Sequence, residues 1–208
     1  HPIILCGSMG VDELREFDLI RWIRQRAAAD AHVLVGIGDD CALVANGDAA
    51  TLITTDMLVD GVDFLLAEHS PRAIGWKSLA CSVSDIAAMG GQPTAAVVAV
   101  AAPAGVTMRQ AREIVEGCLA CGERYGVRLV GGDLSGTAGP LVASVAMLGD
   151  MAGLPPVRRS GAHVGDALLV TGSLGGSLLG RHLCFEPRHP LGLELNRRFR
   201  PHAMIDVS

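Results

Sequence analysis

An α/β fold is predicted for this 208-residue chain by three observations. Half of the residues are hydrophobic but only 3% are aromatic, so the core is one of Val, Leu, Ile and Ala. The 26 glycines supply tight turns. Short apolar runs alternate with longer stretches of helical periodicity. The length suits one large domain, or one domain and part of a second, and is enough to bury a real core.

The elements follow in chain order. Glu13 to Ala29 places Leu14, Phe17, Ile20 and Ile23 near helical spacing with charges between them, which predicts an amphipathic first helix. Strands are expected near Val33–Gly36 and Thr51–Thr55. After Pro71, a favoured first-turn residue, a helix runs to Met89. One of its faces carries Trp76, Leu79, Ala80, Val83, Ile86 and Ala87, and the opposite one Ser78, Cys81, Ser82 and Asp85. That second face is small and polar, where a solvated face would be rich in Lys and Glu, so either a polar group or a second helix packs closely there. Gly90-Gly91 ends the helix. A strand at Ala95–Ala101, a helix at Met108–Tyr125 and strands at Val127–Val130 and Leu141–Leu148 follow. Ala152-Gly-Leu-Pro-Pro156 reads as a linker between a domain at 13–151 and the start of another at 152–208. Beyond it we expect a strand at Ala167–Val170, a glycine-rich turn at Gly172–Gly176, a short helix at Ser177–Cys184 and a strand beginning at Ala203.

Charge and composition exclude several functions. The formal charge is −5 and no basic run occurs, which argues against a nucleic-acid surface. The longest apolar stretch, Thr94 to Pro103, is about half the roughly 20 residues a membrane span needs, and is expected to be a buried strand. Residues 1–12 lack the basic flank of a signal peptide and read as an extension. Six scattered cysteines suit reduced thiols in the cytoplasm. Cys118-Leu-Ala-Cys121 lies in a helical pattern without a second ligand pair, so helix packing is its expected role.

The chemistry is carried by four apolar runs, each ending in aspartate: Gly36-Ile-Gly-Asp-Asp40, Ile53-Thr-Thr-Asp56, Leu129-Val-Gly-Gly-Asp133 and Ala203-Met-Ile-Asp206. Carboxylates gathered at one sheet edge are tolerable only with cations bound. Magnesium accepts oxygen ligands arriving singly from different segments, so Asp40, Asp56, Asp85 and Asp133 suit it, with Thr54 and Thr55 completing a shell. Taken singly, each aspartate reads as a turn or cap residue. No Walker or complete dinucleotide fingerprint occurs. Arg159 is placed where a guanidinium could reach a phosphate.

Together these segments resemble thiamine-monophosphate kinases of the aminoimidazole ribonucleotide synthetase superfamily. The resemblance runs through Gly36-Ile-Gly-Asp-Asp-Cys-Ala42, Thr54-Thr-Asp-Met-Leu-Val59, Ser84-Asp-Ile-Ala-Ala-Met-Gly90, Gly131-Gly-Asp133, Arg159-Ser-Gly-Ala162 and Ala203-Met-Ile-Asp-Val-Ser208. It implies a mixed N-terminal sheet flanked by helices, pairing into a barrel across a homodimer, and the start of a second α/β domain. It implies ATP-dependent phosphorylation of thiamine monophosphate to thiamine diphosphate with several Mg2+ ions. By motif position, Asp40, Thr54, Thr55, Asp56, Asp85, Asp133 and Asp206 are metal ligands, with Asp56, Asp85 and Asp133 catalytic. Gly132, Arg159 and Ser208 touch ATP, and Asp63 takes the place of a substrate-contacting residue.

Two departures from the pattern stand out. Asp63 replaces the histidine common before Phe64, and the chain stops at Ser208 where the pattern continues Asp-Gly-Leu. The part beyond carries most of the thiamine pocket in this family, so the chain as given is expected to be inactive alone. Two alternatives stay open: another ATP-using synthetase of the superfamily (selenophosphate or hydrogenase-maturation type), and a nucleotide-binding dimer without catalysis.

Overall fold

The computed structural model describes residues 15–27 and 30–207. The expectations placed on residues 1–12, on Glu13, Leu14, Ala28 and Ala29 of the first helix, and on Ser208 lie outside the described residues. Two units are separated after Ala31. The first contains α1 (Glu16–Arg26), whose first turn is acidic and last turn basic, in keeping with the helix dipole. Arg15 and Arg21 pair with Asp18, and the Arg26 guanidinium lies 4.0 Å above the Trp22 ring.

The second unit is built on a six-stranded mixed sheet. Its strands are β1 (Val33–Val35), β2 (Ala42–Asn46), β3 (Ala49–Val59), β4 (Gln92–Pro103), β5 (Arg128–Thr137) and β6 (Val142–Asp150), in the order β1-β2-β3-β6-β4-β5. All neighbours are antiparallel except β4 and β5, which run parallel because a helix, α3 (Met108–Tyr125), connects them. A capping box between Thr107 and Gln110 starts α3, and Gly126, at φ +76°, stops it.

Before β4 comes α2 (Pro71–Ala88), buried nearly all round because it is sandwiched between sheet and helix. Leu79, Val83 and Ile86 meet Leu52, Val145 and Met147 of the sheet to form the main core. Each such side chain contributes about 1.5–3 kcal/mol on leaving water. On its other side α2 approaches α3 so closely that two glycines are required. A Cβ on Gly75 would stand 1.8 Å from the Ile114 carbonyl oxygen, and one on Gly117 would stand 2.0 Å from that of Arg72. Cys118 donates its Sγ–H to the Gly75 carbonyl at this contact, and both cysteines of the CxxC pair are buried.

Several elements differ from expectation. The β2 strand joins β3 through the two-residue turn Gly47-Asp48, with Gly47 at φ +61°. The β4 strand is covered on one face only, Val97 being 41% exposed. Residues 167–170 form no strand and are exposed; the segment expected as a helix at Ser177–Cys184 is two 3-10 turns, Ser177–Leu179 and Arg181–Leu183. A further helix, α4 (His189–Arg198), which the sequence pattern does not predict, packs on α2 through Gly192, whose Cβ position lies 2.4 Å from the Ala87 carbonyl. Its Asn196 donates to the Pro155 carbonyl at 2.9 Å. No described helix is long and apolar enough to cross a membrane.

Candidate functional site

The site begins where β2 stops short of its partner. Pairing of β2 with β3 begins at Ala42 opposite Ile53, so from Thr54 onward β3 has β6 on one side and no strand on the other. The loop before β2 turns at Gly38, whose φ of +119° demands glycine, and lays Asp40 into this gap. Thr54 Oγ1 lies 3.3 Å from the Asp40 carbonyl. An open depression there is lined by Asp40, Ile53, Thr54, Thr55 and Ala146.

Strand alternation decides which β3 side chains join the site. Leu52, Thr54, Asp56 and Leu58 point towards α2, whereas Ile53, Thr55 and Met57 point to the outward face. The small polar face of α2 answers the inward set. Ser82 Oγ donates to Asp56 Oδ2 at 2.8 Å, and Thr54 Oγ1 stands 2.5 Å from Asp85 Oδ2. Asp85 lies in the last turn of α2, where the helix dipole is negative and no basic residue compensates. That is a poor place for a carboxylate that serves stability alone.

Two segments from beyond β6 close the cluster. Arg159 binds Asp40 Oδ1 through Nε at 3.0 Å and through a shorter contact from Nη2, while its backbone N–H donates to Asp39 Oδ1 at 3.1 Å. The segment ending in Asp206 runs alongside, and carboxylate oxygens of Asp40, Asp85 and Asp206 all lie within 4.8 Å of one another. With Asp56 this makes four carboxylates against one guanidinium. Burial pushes the Asp40, Asp56 and Asp85 carboxyls upward, Asp85 to about 8, with the Asp56 charge as its second cause. Arg159 does not offset burial at Asp40, whose side chain is wholly inaccessible.

A cation fits this donor set. Asp40 Oδ2 and Asp206 Oδ2 are buried without a hydrogen-bond partner, a costly arrangement unless another positive group binds them. Hard oxygen donors arriving singly from separate segments are the ligands magnesium takes.

The other expected residues stand elsewhere. Asp133 lies within β5 rather than at a strand end, and is exposed; Ser135 Oγ is 3.4 Å from its carboxylate. Register puts Asp133, Ala99, Ser144 and Met57 in one row, so Asp133 sits on the outward face, about 14 Å from Met57 by three strand spacings. Asp56 also lies inside its strand rather than at the end. Gly132 is needed where it is, since a Cβ would stand 2.1 Å from the Val98 carbonyl oxygen of β4. Asp63 spends its carboxylate on the Val59 N–H at 2.8 Å, closing the turn after β3. Ser82 joins the site without having been singled out as a ligand; its spacing three residues before Asp85 was the available signal.

Comparison with known proteins identifies the family of the chain. The family described as AIR synthase related protein, N-terminal domain, matches residues 38–151. A thiamine-monophosphate kinase of Rhodopirellula baltica is 44% identical over 201 residues, which are 93% of this chain and 63% of that protein. One from Mycobacterium tuberculosis (strain H37Rv) is 38% identical over 217 residues, covering 97% of this chain and 65% of that protein. A solved structure of AaThiL complexed with AMPPCP and TMP superposes with a TM-score of 0.77 at 28% identity, covering 91% of this chain and 65% of that one. The chain thus spans rather less than two thirds of the length of these relatives.

Proposed function

The chain belongs to the AIR synthase related family, in the branch that resembles thiamine-monophosphate kinases, and from that premise we propose that the protein transfers the γ-phosphate of ATP to thiamine monophosphate, giving thiamine diphosphate. The observation that carries this reading is the meeting of Asp40, Asp85 and Asp206, from three distant segments, with two buried carboxylate oxygens left unpartnered. Its support from relatives is the complex of AaThiL with an ATP analogue and TMP.

In this reading Asp40, Asp85 and Asp206 hold Mg2+, with Asp56 adding charge and Thr54 and Thr55 bordering the site. Bound Mg2+ supplies positive charge against the phosphate oxygens, the main demand of phosphoryl transfer. Thr54 braces Asp85 against the Asp40 loop, so two ligands keep their spacing. Ser82 holds the Asp56 carboxylate in one orientation. Arg159, held at the rim by Asp39 and Asp40, grips the nucleotide phosphates, with Gly132 and Ser208 as further ATP contacts. Asp133, on the outward sheet face, is assigned to the metal set by motif position alone, as is Asp63, whose carboxylate accepts from the Val59 N–H, to the substrate side.

We further infer a homodimer in which the outward sheet faces pair into a barrel. Support comes from the exposed apolar side chains there: Ile53, Met57, Val97 and Leu148 are each at least 40% exposed. The division into a nucleotide-binding domain at 13–151 and the start of a second domain at 152–208 belongs to the same proposal. Free thiols at all five described cysteines suit the cytoplasm.

The test is to incubate the full-length protein with ATP, Mg2+ and thiamine monophosphate and assay thiamine diphosphate. Its formation supports the reading; Mg2+-dependent ATP binding with no transfer would favour the non-catalytic dimer instead.

A further inference from the structure

A second cluster of ligating side chains lies apart from the acidic one. His163 Nδ1 and His202 Nδ1 face each other at 3.3 Å, with the rings edge to face. Asp166 Oδ1 is 2.9 Å from His202 Nδ1, and Asp166 Oδ2 is 3.9 Å from His163 Nδ1. All three ligand atoms lie within 4.8 Å of one another. Two nitrogens on a tetrahedral zinc-type ion, each about 2.05 Å from it, stand about 3.3 Å apart, the separation found here. A single proton between the two Nδ1 atoms satisfies one facing pair and leaves the carboxylate to compete for it. One cation satisfies all three groups.

The chain builds this cluster deliberately at the backbone level. The His163 N–H donates to Asp166 Oδ2 at 2.8 Å, tying the turn on which two of the ligands sit. The third ligand is pressed against the same turn, because a Cβ on Gly161 would stand 1.9 Å from the His202 carbonyl oxygen. Both rings remain accessible, at 70% and 59% side-chain exposure, so an ion can enter and a water can complete the coordination.

We propose that His163, Asp166 and His202 form a binding site for one divalent transition-metal ion of the zinc type, distinct from the magnesium cluster. Imidazole nitrogens select such ions over Mg2+. The ion clasps the segment carrying Arg159 to the segment carrying Asp206, since His163 follows the first by four residues and His202 precedes the second by four.

The test is a titration of the chain with Zn2+ against a chromophoric chelator, with exposed thiols alkylated and a large excess of Mg2+ present. Visible absorption of the Co2+ form reports the coordination. One equivalent should bind, with affinity falling at least tenfold in His163→Ala and again in His202→Ala, and with a tetrahedral-type Co2+ spectrum lost in both. Binding should also weaken as pH falls, because the ligating nitrogens must be unprotonated. Absence of binding, displacement by Mg2+, or equal affinity in both variants would overturn the proposal. Unchanged circular dichroism in the variants checks folding, which these exposed rings should not affect.

Discussion

Asp85 Oδ2 lies 2.5 Å from Thr54 Oγ1, joining the last turn of α2 to the open edge of β3. The same hydroxyl is 3.3 Å from the Asp40 carbonyl, so one threonine links two carboxylate-bearing segments. With Asp85 neutral, its proton can serve Thr54 while Thr54 serves Asp40, and every polar group in the chain of contacts is paired. A cation in the cluster removes the need for that proton.

Stability of the metal-free protein should therefore fall as pH rises. Burial lifts the Asp85 carboxyl from its ordinary 3.8 to about 8, with Asp40 and Asp56 raised as well. Between those values the folded state holds more protons than the unfolded one, so the slope is negative from about pH 4 to about pH 8. Buried His189, whose pKa is lowered, contributes the opposite slope up to its ordinary 6.5, so thermal melts should show the declining midpoint from there to about pH 8, and Mg2+ should flatten it. A midpoint that climbs over that upper window would contradict the arrangement.

Asp85→Asn should separate folding from metal binding. The amide keeps the size and a partner for Thr54 but carries no charge, so without Mg2+ at pH 8 the variant should be as stable as the parent or more so. Its stabilisation by Mg2+ should largely vanish. Loss of stability comparable to a core truncation would instead make Asp85 architectural.

Arg159→Ala removes the cation on Asp40 and leaves that buried carboxylate unpaired. The metal-free melting point should drop, consistent with about 3–5 kcal/mol for breaking a buried pair, reduced here because Arg159 is 41% exposed. Mg2+ should restore more stability to this variant than to the parent, as read by differential scanning calorimetry.

The α2–α3 crossing should tolerate no side chain at Gly75. Gly75→Ala puts a Cβ into the Ile114 backbone, and about 1–3 kcal/mol should be lost in urea unfolding. Gly136→Ala, with nothing within 4 Å, should change stability by no more than about 0.5 kcal/mol.

Met57→Glu places a charge in the middle of the outward sheet face, where Met57 is 62% exposed. Sedimentation should show a dimer for the parent and a monomer for the variant. A monomeric parent would remove the basis for barrel pairing.

Local signals read along the chain were strongest where the residues themselves set the geometry. Pro71 and Gly90-Gly91 bracket α2 in the sequence, and the structure adds Thr107 and Gly126 as the ends of α3, because proline, glycine and capping hydroxyls act on their own backbone. The β2 strand is not predicted by pattern although Asn46-Gly47-Asp48 is a hairpin signal, its five residues being too short and mixed to show alternation. The expected strand at 167–170 did not form: Leu168 and Leu169 are apolar, yet a strand needs a neighbouring edge to pair with, and none lies beside them among the described residues.

By itself the sequence determined which residue types could hold a divalent cation: aspartates beside glycines and threonines in a chain with few competing charges. Only the tertiary structure decided which of them meet. Strand alternation sends Thr54 and Asp56 inward and Thr55 outward, register puts Asp133 on the face opposite Asp56, and the docking of the last segment brings Asp206 to Asp40 and Asp85. Those choices depend on contacts between segments distant in the sequence, 83 to 99 residues apart for β3 and β6 and 166 for Asp40 and Asp206, which no local pattern encodes.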